Sequence, residues 1–534
     1  MLKSISVNNY KAFREASFDF KPITVFLGEN SVGKSSILQL LLLLKQTAVI
    51  SIFNEDSPLK MYGYFAKMGM PENLFHNKDV TKPFEVSVKF SNDKISKKMM
   101  GLLRDYVVSV ANISYFLPIK ALLEWRSAFK GDVTERNSFY DLVKLLADVL
   151  SKEKLDRYKD NLGYAISTNS LLADWDIQDL SSENLMSIYD MLAYLKEEVK
   201  GCDEYVVSYS FVIYNKRLSI QKVTISVKEC KLFCIEKRGS EVSVTSDATT
   251  LNEMQIKAVA SCFKPNYSIF ECFSYPYHSG SSKRDTTKSN YMLKIVELVL
   301  KEFVEEFRYT RLNHVGPLRA SPKRYYVLDK ESYSTYWDCS DGEAVVELLK
   351  NRDYVREKTN RWLERFGFNV NISESEDVIH HLLINQNAID YDITDVGFGV
   401  SQILPIIVQG YLAFKDSLTI IEQPEIHLHP QMQAELANLF VDIVSYKDRN
   451  MIIETHSEYM LRRLRRLMSD PDFKDIRPKD VALYYFEGVD LEKGKDFVSI
   501  RPLEISSSGS FEWPKSFYET ELDDNLAFMK NQSL

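Results

Sequence analysis

The stretch GENSVGKSS, Gly28 to Ser36, decides how the rest of the chain is interpreted. It matches the pattern G-x-x-x-x-G-K-[ST] at every fixed position, and it lies between an apolar segment predicted as a strand and one predicted as a helix. Glycines let such a loop fold around phosphate, and the N-terminus of the following helix adds a positive dipole end. The pattern predicts a phosphate site formed by Gly28, Glu29, Asn30, Ser31, Val32, Gly33, Lys34, Ser35 and Ser36.

Two side chains of this loop have specific predicted roles. Lys34 is predicted to hold the β- and γ-phosphates of ATP, and Ser35 is predicted to ligate Mg²⁺. The alternative is a chance glycine-rich turn before a core helix. A complete match between a strand and a helix disfavours that alternative.

An acidic strand end lies far downstream of the loop. The segment Leu418 to Ile421 predicts a buried strand that ends in Glu422, and Gln423, Pro424 and Glu425 follow it. An acid at the tip of a buried strand beside a phosphate loop is the Walker B arrangement, in which the carboxylate orients Mg²⁺. The sequence therefore predicts Glu422 as the metal-facing acid.

A further strand, Met451 to Glu454, is followed by Thr455, His456 and Ser457. A histidine at a strand tip can reach the γ-phosphate or the attacking water. Taken alone, His456 would more often be a satisfied histidine at a strand end. The phosphate loop upstream favours the functional interpretation.

A glycine-containing segment, DVGFGVSQILPI, runs from Asp395 to Ile406 before the acidic strand end. Two glycines and a serine precede an apolar helix there. By themselves these residues could be an ordinary helix-start turn. Their position between the phosphate loop and Glu422 favours a functional loop.

Five segments together resemble the SMC, RecF and OLD-like branch of ABC-type ATPases: NNYKAF, GENSVGKSS, GFGVSQILPI, IIEQPEIHLHP and ETHSEYMLRRL. The resemblance covers residues 1–92 and 291–534. It implies an α/β fold, an ABC-type ATPase head (P-loop NTPase), interrupted by residues 93–290. We expect this insertion to be helical first, with helices over Ser138 to Leu150 and Leu185 to Val199. A strand meander over 205–244 and a polar loop over 279–290 are predicted to follow, and the insertion is expected to contact partners.

The resemblance also implies roles for single residues. It places Lys11 and Phe13 near the nucleotide base, Gly399 and Ser401 in the signature loop, Glu422 in the Mg²⁺-facing position and His456 in the switch position. In that family the signature loop addresses ATP bound to the opposite subunit. A homodimer, or a higher homo-oligomer, is therefore implied.

One position departs from the family pattern. ABC-type ATPases place a catalytic glutamate directly after the Walker B acid, whereas this chain has Gln423 there. Glutamine can orient water but cannot take its proton, and general-base assistance is typically worth about 10² to 10⁴ in rate. Hydrolysis is therefore expected to be slow, unless Glu425 substitutes.

Two further segments point to a narrower group. HVGPLRASPKRYY (His314 to Tyr326) and GSFEWPKSFYE (Gly509 to Glu519) resemble PtuA-like ATPases of Septu and retron-linked antiphage systems and AriA-like ATPases of PARIS systems. This resemblance implies a sensor or regulatory subunit that controls a separate effector nuclease, since no nuclease domain is visible in this sequence. The alternatives are a RecF-like ATPase of DNA maintenance and a nucleotide-dependent scaffold with little turnover.

Composition sets the remaining bounds. The 534 residues include 67 Lys plus Arg and 75 Asp plus Glu, a net charge of −8 that argues against a nucleic-acid coat over the whole surface. Arg462, Arg463, Arg465 and Arg466 leave local nucleic-acid binding open. Neither a membrane span nor a signal peptide is predicted, so a cytoplasmic protein is expected. The acids between Glu519 and Asp524 are predicted to be a solvated tail. None of the six cysteines pairs with histidines at zinc-finger spacing, and Cys230 and Cys234 are predicted to be buried thiols and not a metal site.

Overall fold

The computed structural model describes residues 1–49, 57–113, 134–149, 181–275, 287–328, 342–376, 378–489, 497–513 and 528–529. The chain forms two compact units. The first unit comprises Met1–Val49, Met61–Asp79 and Glu306–Leu534, and the second comprises Ile50–Lys60 and Val80–Glu305. The acids at 519–524, Cys339 and most of the polar stretch at 279–290 lie outside the described residues.

The strands of the described residues are, in chain order, β1 (Leu2–Tyr10), β2 (Phe13–Asp19), β3 (Ile23–Gly28), β4 (Phe84–Ser91), β5 (Glu204–Tyr214), β6 (Arg217–Val227), β7 (Cys230–Arg238), β8 (Glu241–Thr245), β9 (Leu312–Val315), β10 (Tyr326–Val327), β11 (Phe368–Glu376), β12 (Ile379–Gln386), β13 (Ile389–Asp392), β14 (Leu418–Glu422), β15 (Asn450–Glu454), β16 (Val481–Glu487) and β17 (Ser499–Leu503).

The helices are α1 (Lys34–Val49), α2 (Asp93–Ile113), α3 (Arg136–Val149), α4 (Ser182–Val199), α5 (Glu253–Cys262), α6 (Thr287–Glu305), α7 (Gly342–Asn351), α8 (Asp353–Leu363), α9 (Phe398–Leu412), α10 (Pro430–Lys447) and α11 (Glu458–Ser469). Among the described helices, none is both long enough and apolar enough to span a bilayer.

A six-stranded sheet is the centre of the first unit. Its order is β17-β16-β3-β15-β14-β9. All neighbours pair in parallel except β17, which is antiparallel to β16. The strands β3, β15 and β14 are adjacent and parallel, so their carboxyl ends meet at one edge of the sheet. Ligands bind at this edge in open α/β sheets. The α/β prediction is confirmed.

The strand and helix on either side of the phosphate loop are buried for simple reasons. All six residues of β3 are buried, as expected for a central strand of a parallel sheet covered by helices. In α1 the run from Leu40 to Leu44 is buried on every side, so this is a core helix. Gly28 ends β3 with φ +140°, and a Cβ there would lie 2.6 Å from the carbonyl oxygen of Phe486.

The first unit also contains a smaller antiparallel sheet, in the order β10-β12-β11 with β13 also pairing with β12, and the antiparallel pair β1–β2. In the second unit the strands β4 to β8 pair consecutively and antiparallel, which confirms the predicted meander. The helices predicted there are observed as α3 and α4. Thr287 to Asn290 were predicted to be loop but form the first turn of α6, where Ser289 and Asn290 are buried.

Candidate functional site

The phosphate loop is preformed around its lysine. Lys34 is 3% exposed, and its Nζ donates to the carbonyl oxygens of Gly28 at 2.9 Å and Glu29 at 2.5 Å. Burial lowers the pKa of Lys34, and the charge of Glu454 opposes this effect. Ser31 and Gly33 have positive φ angles, +66° and +97°. The loop therefore curls over an ammonium group that lies at the N-terminus of α1, where phosphate is favoured.

Glu454, at the end of β15, is the acid that contacts this loop. The Ser35 hydroxyl donates to its two carboxylate oxygens at 3.1 and 3.2 Å. Glu454 is 4% exposed, and its burial, followed by the charge of Glu422, raises its pKa to about 6. The sequence predicted only a strand end here. The strand order explains the contact, because β15 is the direct neighbour of β3.

Glu422, the predicted metal-facing acid, lies one strand further from the loop. It is in register with Glu454 across the β14–β15 pair, and parallel strands are about 4.8 Å apart. Its Oε1 lies 2.7 Å from Nε2 of His314, which follows from the pairing of β9 with β14. The serine predicted as its Mg²⁺ co-ligand thus contacts the other acid.

Glu425 is engaged by the turn that follows β15. Its Oε2 accepts from the Thr455 hydroxyl at 2.8 Å, and its Oε1 accepts from the His456 N–H at 2.7 Å. Burial, and secondarily the charge of Lys34, lowers the pKa of His456. The imidazole is therefore neutral at pH 7, and its Nε2 is buried without a partner among the described residues.

A cavity of about 330 Å³ joins the loop to the ends of β14 and β15. Its lining consists of Asn30, Ser31, Gly33, Lys34, Ser35, Ser36, Gln39, Gln423 and Glu454. Pockets for small molecules typically start near this size, roughly 300 Å³. Six of these residues belong to the phosphate loop, and Gln39 lies on α1 after it. Gln423 is the predicted hydrolysis residue that the structure brings to them. Glu422, Glu425, His456 and Ser401 are outside the lining.

The residues present fit a Mg²⁺–nucleotide. The cavity offers a buried ammonium, a hydroxyl and a carboxylate at its floor, and Mg²⁺ in nucleotide sites takes few protein ligands and completes its shell with phosphate oxygens and waters. Within the described part of the chain, no group of three or more His, Cys, Asp or Glu side chains could hold a metal by itself. Ser35 and Glu454, which contact each other in the cavity lining, are the hydroxyl and the carboxylate that would hold such an ion.

Lys11 and Phe13 occupy different environments. Lys11 Nζ donates to Oε1 of Gln39 at 2.8 Å, which places it at the cavity rim. Phe13 is fully buried. Its ring packs edge-to-face against Phe486, and a Cβ on Gly33 would lie 3.1 Å from the ring. The ring therefore has no solvent-exposed face, and its contact with Gly33 supports the loop. The place of Lys11 and Phe13 near the nucleotide base stays a prediction.

The predicted signature residues begin α9. Gly397 precedes the helix and provides no side-chain cap. The Ser401 hydroxyl donates to the carbonyl oxygen of Phe398 at 2.8 Å, and a Cβ on Gly399 would lie 3.2 Å from the carbonyl oxygen of His427. Neither Gly399 nor Ser401 lines the cavity at Lys34.

Comparison with known proteins gives one family match. Residues 1–461 match the family described as AAA ATPase domain. Similar solved structures include the SMC head domain from Thermotoga maritima, with 10% identity, a TM-score of 0.35 and coverage of 94% of this chain and 99% of that one. An SMC head bound to the C-winged-helix domain of ScpA has 8% identity, a TM-score of 0.37 and coverage of 94% of this chain and 98% of that one. An SMC head with an extended coiled coil, bound to the C-terminal domain of ScpA from Pyrococcus furiosus, has 9% identity, a TM-score of 0.32 and coverage of 100% of this chain and 99% of that one. No curated protein matches.

Proposed function

This chain belongs to the AAA ATPase domain family, and from that premise we propose that it binds ATP with Mg²⁺ in the cavity at Gly28–Ser36 and hydrolyses it slowly. The observation that supports this most directly is the buried Lys34 ammonium, held by two loop carbonyls at the cavity floor. An ammonium in this position compensates the charge of the β- and γ-phosphates.

The chain's own groups suggest how hydrolysis proceeds. Mg²⁺, when bound with ATP, neutralises phosphate charge and orients the leaving group. Lys34 holds the phosphates, Ser35 and Glu454 orient the ion, and the Gln423 amide can align a water but cannot accept its proton. We further propose that His456 reaches the γ-phosphate or the water when nucleotide is bound; its imidazole is neutral, and its buried Nε2 has no partner among the described residues. The lack of a glutamate at 423 is our reason for proposing slow turnover.

The direct test of this proposal is Lys34→Ala. We expect ATP affinity, measured by calorimetry, and phosphate release both to be lost, because the phosphate charge then lacks its cation. Lys301→Ala, an exposed lysine of α6, is the matched control and should keep both. Retained ATP binding and turnover in Lys34→Ala would contradict the assignment of the cavity.

We also propose that ATP brings two copies together, so that Ser401 and Gly399 of one copy face the γ-phosphate held by the other. The supporting observation is that neither residue lines the cavity of its own chain. Ser401→Arg should place bulk and charge against the partner's nucleotide. Light scattering with and without ATP should show a dimer, or a larger assembly, for the wild-type protein and a monomer for the variant. An unchanged ATP-dependent mass in the variant would contradict a composite site.

For the biological role we propose a sensor or regulatory subunit of a bacterial antiphage complex, acting on a separate effector nuclease. The support is the likeness of the segments at His314–Tyr326 and Gly509–Glu519 to such ATPases, together with a site suited to a long-lived ATP state. A nuclease or reverse-transcriptase gene beside this one, and loss of phage protection on Lys34→Ala, are the expected findings. A scaffold with negligible turnover is the second candidate, favoured by Gln423, and protection that survives Lys34→Ala would support neither role.

A further inference from the structure

The turn after β14 has a backbone conformation that needs support. Gln423 has a φ of +45°, a region that non-glycine residues rarely occupy. Its N–H donates to the carbonyl oxygen of Glu454 at 2.7 Å, and Gln423 lines the cavity. The direction of the Gln423 side chain therefore depends on what holds this turn.

The side chain of Arg319 binds the backbone of the Glu422–Gln423 turn. One nitrogen, Nη2, donates to the carbonyl oxygens of Glu422 at 2.9 Å and Gln423 at 3.1 Å. Arg319 is 7% exposed, so these bonds are shielded from water. From the same segment of the chain, His314 contacts the Glu422 carboxylate. The backbone and the side chain at the end of β14 are thus fixed by two residues of one motif, HVGPLR, to which the ATPase mechanism above gives no role.

The guanidinium is not fully used by these contacts. Its Nε and Nη1 are buried, and nothing among the described residues accepts from them. Buried polar groups are nearly always paired, and each exception calls for an explanation. Burial lowers the pKa of Arg319 to about 10, while Glu425 and Glu422 oppose this, so the group remains a cation at pH 7. The Arg319 guanidinium is thus a buried cation in contact with the Glu422–Gln423 turn, and two of its donors have no acceptor among the described residues. This arrangement indicates a role beyond packing.

We propose that Arg319 is a positioning residue for ATP hydrolysis: it holds the Glu422–Gln423 turn so that the Gln423 amide faces the cavity. Arg319 acts through Gln423 and not on the nucleotide. This inference rests on the proposed ATPase function, because it concerns the turnover step of the same cavity.

A double-mutant cycle tests this dependence. Arg319→Ala should lower kcat about tenfold or more and leave KM for ATP within about twofold, because a turnover step and not binding is affected. Gln423→Ala should give a similar loss. If Arg319 acts through Gln423, the double variant should be no slower than Gln423→Ala. Losses that multiply in the double variant would overturn the proposal.

Two further variants separate positioning from simple stabilisation. Arg319→Lys keeps the charge but loses the planar fork, and we expect it to stay slow while melting like the wild-type protein. Lys323→Ala is the matched control, since Lys323 is exposed, lies on the same segment and pairs with Glu343, which is in neither the cavity nor the signature segment; it should keep full turnover. Guanidinium ion at millimolar levels should restore part of the rate to Arg319→Ala but none to Lys34→Ala.

The possible failures are distinguishable. If Arg319→Ala does not fold, Arg319→Met, which keeps the volume, replaces it in the cycle. No ATP turnover by the wild-type protein would defeat the proposed function. Wild-type turnover together with an unaffected Arg319→Met or Arg319→Lys would defeat only this inference.

Discussion

The ends of β14 and β15 are neighbours in the same parallel sheet, and the comparison between them is instructive. Glu422 and Glu454 are in register, each closing its strand. Yet Glu454 contacts Ser35 of the phosphate loop, whereas Glu422 contacts His314 on the opposite side. The difference arises from strand order, because β15 separates β14 from β3. Which acid meets the loop is decided by the sheet and not by the motif.

The largest expected effect concerns the two acids themselves. Glu454→Gln should reduce ATP turnover by about 10² or more, because the carboxylate beside Ser35 is lost from the Mg²⁺ environment. Glu422→Gln should have a smaller effect, since its carboxylate is turned toward His314. Steady-state phosphate release by the two single variants, with ATP affinity measured alongside, provides the comparison. A larger loss in Glu422→Gln would mean that the end of β14 approaches the ion when nucleotide binds.

The next effect concerns the residues that follow Glu422. Gln423→Glu should raise turnover by about tenfold or more, because it places a base in the cavity where general-base assistance is otherwise missing. Glu425→Gln should change turnover little, because both of its carboxylate oxygens are engaged by the turn at Thr455 and His456. A fast wild-type rate that Glu425→Gln abolishes would show that Glu425 is the base and would reject the slow-turnover proposal.

The smallest effect is on stability and depends on pH. The pKa of Glu454 rises from 4.5 to about 6 on folding, so between these values the folded protein binds more protons than the unfolded chain. The charged carboxylate therefore destabilises the nucleotide-free protein above pH 6. Glu454→Gln should increase the free energy of unfolding by up to about 2 kcal/mol at pH 7.5 and by little at pH 4.5.

Denaturant unfolding at the two pH values measures this difference. Glu512→Gln removes a carboxylate whose side chain is 85% exposed and is the matched control. It should leave the free energy of unfolding unchanged at both pH values. Equal effects of Glu454→Gln at pH 4.5 and 7.5 would mean that its charge is not the destabilising factor.

The local sequence pattern was sufficient to predict the phosphate loop and the fold class. The loop at Gly28–Ser36, the strand before it, the helix after it and the α/β class follow from periodicity and glycine placement, and the structure confirms that class. Contacts between residues far apart in the chain could not be predicted from this local pattern. His314 and Glu422 are 108 positions apart, and Ser35 and Glu454 are 419 apart, so only the sheet order reveals them. The roles assigned to Glu422, Gln423, Glu425, His456 and Ser401 stay predictions.

The basic helix gives a second example of what sequence alone misses. Arg462, Arg463, Arg465 and Arg466 predicted a concentration of positive charge on α11. In the fold, Arg463 pairs with Glu435 of α10, and Arg462 pairs with Glu458 one turn earlier. Part of that charge is therefore neutralised within the first unit. Helix spacing alone explains the Arg462–Glu458 pair, whereas the Arg463–Glu435 pair depends on the packing of α11 against α10.

The close approach of Gly28 to Phe486 affects how a mutational scan of this protein should be interpreted. A side chain at position 28 would meet a main-chain oxygen of β16, in a backbone conformation that disfavours every other residue. Gly28→Ala would then disturb the sheet even in a protein that never encounters nucleotide. Intolerance at this position in a library selected only for folding would reflect architecture, whereas intolerance at Lys34 should emerge only under selection for activity.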